Sequence, residues 1–286
     1  MNSLFTAPLH DLDSSRVAEA GGKGASLGEL MRAGAPVPPG FAVLSPAFDM
    51  FLATDNCRLQ VGTILDHMSQ GKMPAKEAVS EIRALLTSIP VPALVAEAIA
   101  TAQSHLNVEL VSVRSSATCE DSGASAWAGQ LETYLNIAPD QVIDRVRECW
   151  LSLFRESALA YGAAHGYGGG HFSVAVVVQQ MVPSQISGIG FSVHPVTQEP
   201  NVLLIEACLG QGEAIVSGRI VPDQYSVERG TNRVLNSIVG NQKEGLFLQP
   251  QGVAEWQTLG EAGNLRKLAD AQVVQYLQML AEIDDH

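Results

Sequence analysis

The five residues Gly166-Tyr167-Gly168-Gly169-Gly170 divide this chain into two stretches of different hydrophobic period. Before them, apolar residues recur at helical spacing: Val79, Ile82, Leu86 and Ile89 lie three and four apart, and Val142, Val146, Trp150 and Leu153 form a second stripe. After them come short apolar, β-branched runs at 173–182, 188–193 and 202–207, the pattern of strands. A segment so rich in glycine resists any single packed conformation, so it is expected to be a hinge and a lobe boundary. The expected fold is α+β, with an N-terminal lobe at 1–168 and a β-rich C-terminal lobe at 169–286.

Within that frame, Gly21-Gly22-Lys23-Gly24-Ala25-Ser26 opens a helix whose apolar face is Leu27, Leu30 and Met31. Gly34 stops it, and Pro36, Pro38 and Pro39 forbid its continuation. Further helices are expected near 46–53, 75–89, 93–105 and 270–283, with the longest at 140–164. Strands are expected at 109–115 and 131–137, and Arg229-Gly230-Thr231-Asn232 reads as the turn of a hairpin joining 225–228 to 233–238.

Hydrophobic residues make up 46% of the 286, enough for a substantial core. The formal charge of −13 repels nucleic-acid backbones, which argues against a DNA or RNA partner. Cys57, Cys119, Cys149 and Cys208 lie far apart and form no CxxC pair, so neither a zinc knuckle nor a disulfide framework is expected. No basic-then-apolar leader opens the chain and no apolar run approaches the ~20 residues of a membrane span, so a cytoplasmic location without membrane contact is expected.

Against so acidic a background, two cations stand out. The strand expected at 109–115 looks buried and delivers Arg114 into a run of hydroxyls, Ser115, Ser116 and Thr118. An always-charged planar guanidinium at a strand end, beside loops rich in free N–H groups, suits a bound polyphosphate. By residue type alone a strand-end arginine is more often an ion-pair partner, here for Glu120 or Asp121, and the three hydroxyls serve equally as turn and cap residues. Lys23 sits in a glycine-rich turn at a helix start, where N–H groups and dipole favour an anion. The turn is not a Walker A loop, because no Ser or Thr follows the lysine, and it also reads as a plain helix entry with a solvated lysine.

Residues 111–135 resemble the VRSSAT…ED…AGQ.ETYLN block of the nucleotide-binding domain found in phosphoenolpyruvate synthases, pyruvate phosphate dikinases and rifampicin phosphotransferases. The block GGKGASLGEL…G.PVPPGFAV, ending at Val43, resembles the N-terminus of the same family. The resemblance implies that Lys23 contacts the nucleotide phosphates and that Arg114 holds them and stabilises charge during transfer. It places Gly129 where the backbone approaches the phosphates and Thr133 where a hydroxyl adds a donor. Residues 177–183 resemble the family's VQ.MV segment between lobes, which puts Gln180, Met181 and Val182 at the adenine edge; a plain core strand is the other reading. Residues 187–192 resemble its SGV.FS element. Residues 206–213 resemble its GLGE segment, placing Glu206, Gly210, Gly212 and Glu213 near the nucleotide, although here the motif reads Leu-Gly-Gln-Gly-Glu. Pro222-Asp223-Gln224-Tyr225 matches PD.Y, expected as a turn.

The implied fold is ATP-grasp-like, two lobes with an ATP cleft between them, and the implied cofactors are ATP and Mg2+. The implied activity is an ATP-dependent phosphotransfer of dikinase type. ATP is cleaved and a phosphoryl group passes to a histidine on a separate swivelling domain, for onward transfer to a small acceptor such as pyruvate, rifampicin or a phenol-like alcohol. His194 lacks the T.H motif of that phosphohistidine and is not expected to carry the phosphoryl group. The family's metal ligands belong to a segment beyond His286, so the chain is expected to be part of a longer enzyme whose partners are the swivelling and acceptor-binding domains. A non-catalytic adenine-nucleotide-binding module, or one subunit of a complex, is the alternative. An ATP-grasp carboxylate–amine ligase would share the architecture but lack the VRSSAT block.

Overall fold

The computed structural model describes residues 4–118, 132–159, 173–231, 233–249 and 251–284. They form two compact units: Met1–Arg32 with Pro36–Met181, and Ala33–Ala35 with Val182–His286. Both mix helix and sheet, as the α+β expectation requires. Among the described residues no single helix is long and apolar enough to cross a membrane.

The first unit holds β1 (Thr6–Pro8), α1 (Val17–Arg32), β2 (Gly40–Val43), α2 (Ser45–Ala53), α3 (Cys57–Ser69), α4 (Ala75–Ser88), α5 (Ala93–Leu106), β3 (Val111–Ala117), β4 (Thr133–Ile137), α6 (Val142–Leu151) and β5 (Val174–Gln180). Its five-stranded sheet runs β1-β2-β5-β3-β4, with antiparallel pairing throughout. The unbroken apolar run Val174–Val178 is explained by this order: β5 is the middle strand and both its faces are buried. Val174, Val176 and Val178 face a large core with Val111, Val113, Phe48, Phe51, Ile82 and Trp150. Val177 faces the opposite side with Ala42, Leu9, Leu12 and Ala20, where Leu27 and Met31 of α1 complete the packing. Trp150 anchors the first core, its ring 5.0 Å from Phe51 and 5.9 Å from Phe48. Each such fully buried side chain contributes roughly 1.5–3 kcal/mol.

Two expectations need correcting here. The long helix at 140–164 is broken: α6 ends at Leu151, a 3₁₀ turn spans Ser152–Phe154, and Arg155 is extended. Trp150, Leu151, Ser152, Leu153 and Phe154 are all buried in succession, which a helix lying on one face cannot achieve. The boundary after residue 168, with the hinge at 166–170, lies outside the described residues. β5, assigned by sequence to the C-terminal lobe, pairs with β2 and β3 and belongs to the first unit, so the chain divides after Met181.

In the second unit β6 (Ile186–Phe191), β7 (Val202–Leu209), α7 (Glu213–Val216), β8 (Asp223–Glu228), β9 (Arg233–Ile238), β10 (Glu244–Leu248), β11 (Ala254–Thr258) and α8 (Asp270–Asp284) follow in order. Strands β6 to β9 form an antiparallel meander, and β10 and β11 a separate hairpin. Alternation along β7 and β8 turns Leu203, Ile205, Ala207, Tyr225 and Val227 toward Val273 and Leu277 of α8. Leu280 packs at the margin of that core. The other face carries Cys208 with Ala214, Ile215 and Ile220. On that alternation Glu206, one residue before Ala207, shares the second face.

Candidate functional site

The glycine-rich turn is built by a break inside α1. Gly21 has φ +68° and ψ 168°, which interrupts the helix so that it restarts at Gly22-Lys23-Gly24. A side chain could not occupy position 21: an added Cβ would lie 2.3 Å from Ser116 Oγ and 2.5 Å from the Ser116 carbonyl oxygen. The turn is therefore pressed against β3. Gly24 N–H donates to Ser116 Oγ at 3.3 Å, and Lys23 Nζ donates to the Ser115 carbonyl at 2.6 Å.

Arg114 lies on the same strand and is half-buried. Its register partners are Thr133 on β4 and Val177 on β5. Val177 faces α1, so the alternation along β3 sends Arg114 to the face that carries Lys23. Among the described residues the Arg114 guanidinium makes no hydrogen bond and no ion pair. Glu120 and Asp121, its candidate partners by sequence, lie outside them.

Burial pushes the Arg114 pKa down. Lys23 is lowered too, by burial first and then by the positive charge of Arg114. Lys23 is exposed as a whole residue, but its ammonium rests on the sheet at Ser115, and that end of the side chain feels both effects. Two cations thus share one surface without a counter-charge among the described residues, an arrangement that an anion would relieve.

The hydroxyls that sequence left open are committed inside the protein. Ser115 N–H and Oγ both donate to the Glu132 carbonyl at 3.1 Å, Ser116 receives Gly24, and Thr118 Oγ1 donates to the Ser173 carbonyl at 2.9 Å. Thr133 is exposed beside Arg114 in register. Gly129 lies outside the described residues. At the end of β5, Gln180 N–H is taken by the Pro39 carbonyl and Met181 N–H by the Leu110 carbonyl. Val182, 49% exposed, is the residue of this trio whose N–H has no partner among the described residues, and its carbonyl accepts Ser184 N–H.

In the second unit, Glu206 is half-buried and accepts Gln224 Nε2 at 2.9 Å. Gly210 has φ +91°, and an added Cβ would stand 2.4 Å from the Leu246 carbonyl oxygen, so glycine is required there. Gly212 makes no such demand and leads into α7, where Glu213 is exposed. His194 Nδ1 accepts the N–H groups of Val196 and Thr197, the role of a turn cap. Among the described residues no group of three or more His, Cys, Asp or Glu is placed to hold a metal ion.

Two residues escaped sequence reasoning. Asp223, expected only to make a turn, is wholly buried and accepts Gly240 N–H, Lys267 N–H and the Tyr225 hydroxyl while pairing with Lys267 Nζ at 2.9 Å. Gln242, also wholly buried, bonds through its side chain to both backbone groups of Leu209. No local pattern marks either one, since Gly240 and Lys267 lie 17 and 44 positions from Asp223 and Leu209 lies 33 from Gln242.

In this α+β domain a helix restart is pressed on a sheet beside two cations that have no counter-charge among the described residues. The chain belongs to the pyruvate phosphate dikinase AMP/ATP-binding domain family, whose model matches residues 17–286. It is 37% identical to a probable phosphoenolpyruvate synthase of Methanothermobacter thermautotrophicus, over 99% of this chain and 42% of that protein. It is 34% identical to the phosphoenolpyruvate synthase of Pyrococcus furiosus, over 99% of this chain and 40% of that one. Against the rifampicin phosphotransferase of Bacillus subtilis the identity is 32%, over 100% of this chain and 33% of that enzyme. The chain therefore spans between a third and about two fifths of the length of these relatives. The family resemblance read from the sequence is borne out.

Proposed function

We propose that this chain binds ATP through Lys23 and Arg114 and serves a dikinase-type phosphotransferase. In that enzyme ATP is cleaved and a phosphoryl group passes to a histidine on a separate swivelling domain, then to pyruvate or another small acceptor. The observation that carries the reading is the pair of partly buried cations without a counter-charge among the described residues. A polyphosphate supplies that counter-charge. Arg114 offers a fork of donors, and Lys23 retains two ammonium hydrogens beyond the one given to Ser115. Phosphoryl transfer depends mainly on such positioning and charge stabilisation.

The two units would act as the lobes of an ATP-grasp-like cleft, with Thr133 and Gly129 near the phosphates and Gln180, Met181 and Val182 at the adenine edge. The Val182 N–H, without a partner among the described residues, supports that last role, whereas those of Gln180 and Met181 are already used. Glu206, Gly210, Gly212 and Glu213 would complete the site from the second unit. Among the described residues no group of His, Cys, Asp or Glu assembles a magnesium centre.

Titration calorimetry with ATP, AMP and adenosine tests the reading. Arg114→Ala should cost about 1.5–3 kcal/mol of ATP binding, the scale of a charged hydrogen bond lost from its partner. The loss should shrink for AMP and vanish for adenosine. Equal ATP affinity in wild type and variant would remove Arg114 from the site.

A further inference from the structure

The turn from Gly210 to Glu213 leaves the sheet at a point where β7 loses its neighbour. Pairing between β7 and β8 ends at Ala207 and Asp223, so the backbone of Leu209 has no strand beside it on that side. The side chain of Gln242 takes the strand's place. Its Oε1 accepts Leu209 N–H at 2.9 Å, and its Nε2 donates to the Leu209 carbonyl at 2.9 Å and to the Glu244 carbonyl at 3.1 Å. One primary amide thus supplies the donor and acceptor of a missing ladder rung, and it is completely buried.

The backbone of Gln242 is itself fixed. Its N–H is shared between the Gly240 and Gly263 carbonyls at 3.1 Å each. Those same two carbonyls receive Lys267 Nζ at 3.0 and 2.8 Å, and Lys267 is held by Asp223. Gly263 packs so tightly that an added Cβ would stand 1.8 Å from the Gln242 carbonyl oxygen. Past Leu209, three further bonds pin Gly210 and Gln211: Gly210 N–H to Gln185, Gln211 N–H to Leu246, and Ser187 Oγ to the Gly210 carbonyl, each at 2.7 Å.

We infer that Gln242 is a positioning residue for nucleotide binding, holding the Gly210–Glu213 turn at the angle from which it meets the ligand. The inference rests on the proposed reading of that turn. Its physical basis is that glycine has the widest backbone freedom of any residue, so the turn at Gly210 keeps one geometry only where its surroundings hold it. Gln242 supplies the contacts on the side where the sheet supplies none.

The test compares wild type, Gln242→Met and Arg114→Ala in the whole chain, each at a temperature where circular dichroism shows it folded. ATP affinity is measured by calorimetry, and exchange of the Leu209 amide by hydrogen–deuterium exchange. Gln242→Met keeps volume but removes all three side-chain bonds. It should speed Leu209 exchange and weaken ATP binding about tenfold, the lower end for loss of a supporting residue behind a site. Arg114→Ala should weaken ATP binding and leave Leu209 exchange unchanged. Where Gln242→Met does not fold, Gln242→Glu, which keeps the acceptor and loses the donors, is read by the same criteria. If Gln242→Met leaves ATP affinity within about twofold while Arg114→Ala lowers it, the positioning role is overturned and the ATP reading stands. If Arg114→Ala has no effect on ATP, the reading and this inference fall together.

Discussion

Gly21 and Ser116, on α1 and β3, approach so closely that an added Cβ on the glycine would lie 2.3 Å from the serine Oγ. The contact fixes the glycine turn to the strand that carries Arg114, and so sets where Lys23 can reach. Gly21→Ala combines that clash with a φ of +68°, which side chains rarely adopt. The variant should lose at least about 2 kcal/mol in urea unfolding, within the range of left-handed strain plus a steric conflict. A loss under about 0.5 kcal/mol would show that the turn moves freely against β3.

Nucleotide affinity should depend on the ionisation of Lys23. Burial and Arg114 lower its pKa below 10.5, so the ammonium is disfavoured in the unliganded fold. Below the lowered pKa both folded and unfolded chains carry the proton, and folding bears the full desolvation cost. As pH rises through that pKa toward the unfolded value the cost is relieved, so Lys23 alone makes the free protein more stable there. A bound polyphosphate favours the ammonium, so ATP affinity should fall across the same window, with proton uptake on binding. Calorimetry in buffers of different ionisation enthalpy reads that uptake. Lys23→Arg, charged throughout, should abolish it, and unchanged uptake in that variant would assign the proton to another group.

Legibility followed the range of the interactions. Val174–Val178 announced a buried strand because its pattern is local, and Arg114 and Lys23 were conspicuous because cations are scarce in the chain. The break in α6 was hidden, since Leu153 continues the helical stripe of Val142, Val146 and Trp150 while the burial of Leu151, Ser152 and Phe154 comes from contacts distant in sequence. α3 carried no clear signal because Cys57 and Val61 are its buried residues while Leu59 is 73% exposed. The β10–β11 hairpin went unread because only one of its residues, Leu246, is a buried large hydrophobe. Gln242 and Asp223 act through partners that no spacing rule connects.

Gln103 on α5 should be a site of easy stabilisation. It is 9% exposed, yet neither its Nε2 nor its Oε1 has a hydrogen-bond partner among the described residues. Its helical neighbours on the buried face are Val95 and Ile99, so an apolar side chain suits the position. An unsatisfied buried polar group costs roughly 1–3 kcal/mol, and Gln103→Met removes two of them at similar volume. The variant should gain about 1 kcal/mol or more in urea unfolding. A loss of stability would mean that bound water satisfies the amide and that its removal is felt.

The buried pair of Asp223 and Lys267 should dominate the response of the second unit to acid. Burial raises the Asp223 pKa, but bonds from the Lys267 N–H and ammonium, the Tyr225 hydroxyl and the Gly240 N–H outweigh it and hold the carboxyl below 3.8. A folded pKa below the unfolded one gives stability that is present in full above the unfolded value and lost as pH falls through the folded one. Asp223→Asn keeps the shape but leaves the Lys267 ammonium buried without its counter-charge, which should cost about 3–5 kcal/mol at neutral pH. The remaining acid dependence should then be shallower than in wild type, because the titrating group is gone. Adding Lys267→Met to Asp223→Asn removes the orphaned charge and should recover part of the loss. Urea unfolding at a series of pH values from neutral to strongly acidic measures each step. Equal cost for the single and double variants would show that the hydrogen bonds to Gly240, Gly263 and Tyr225, not the charge pair, hold this end of the unit together.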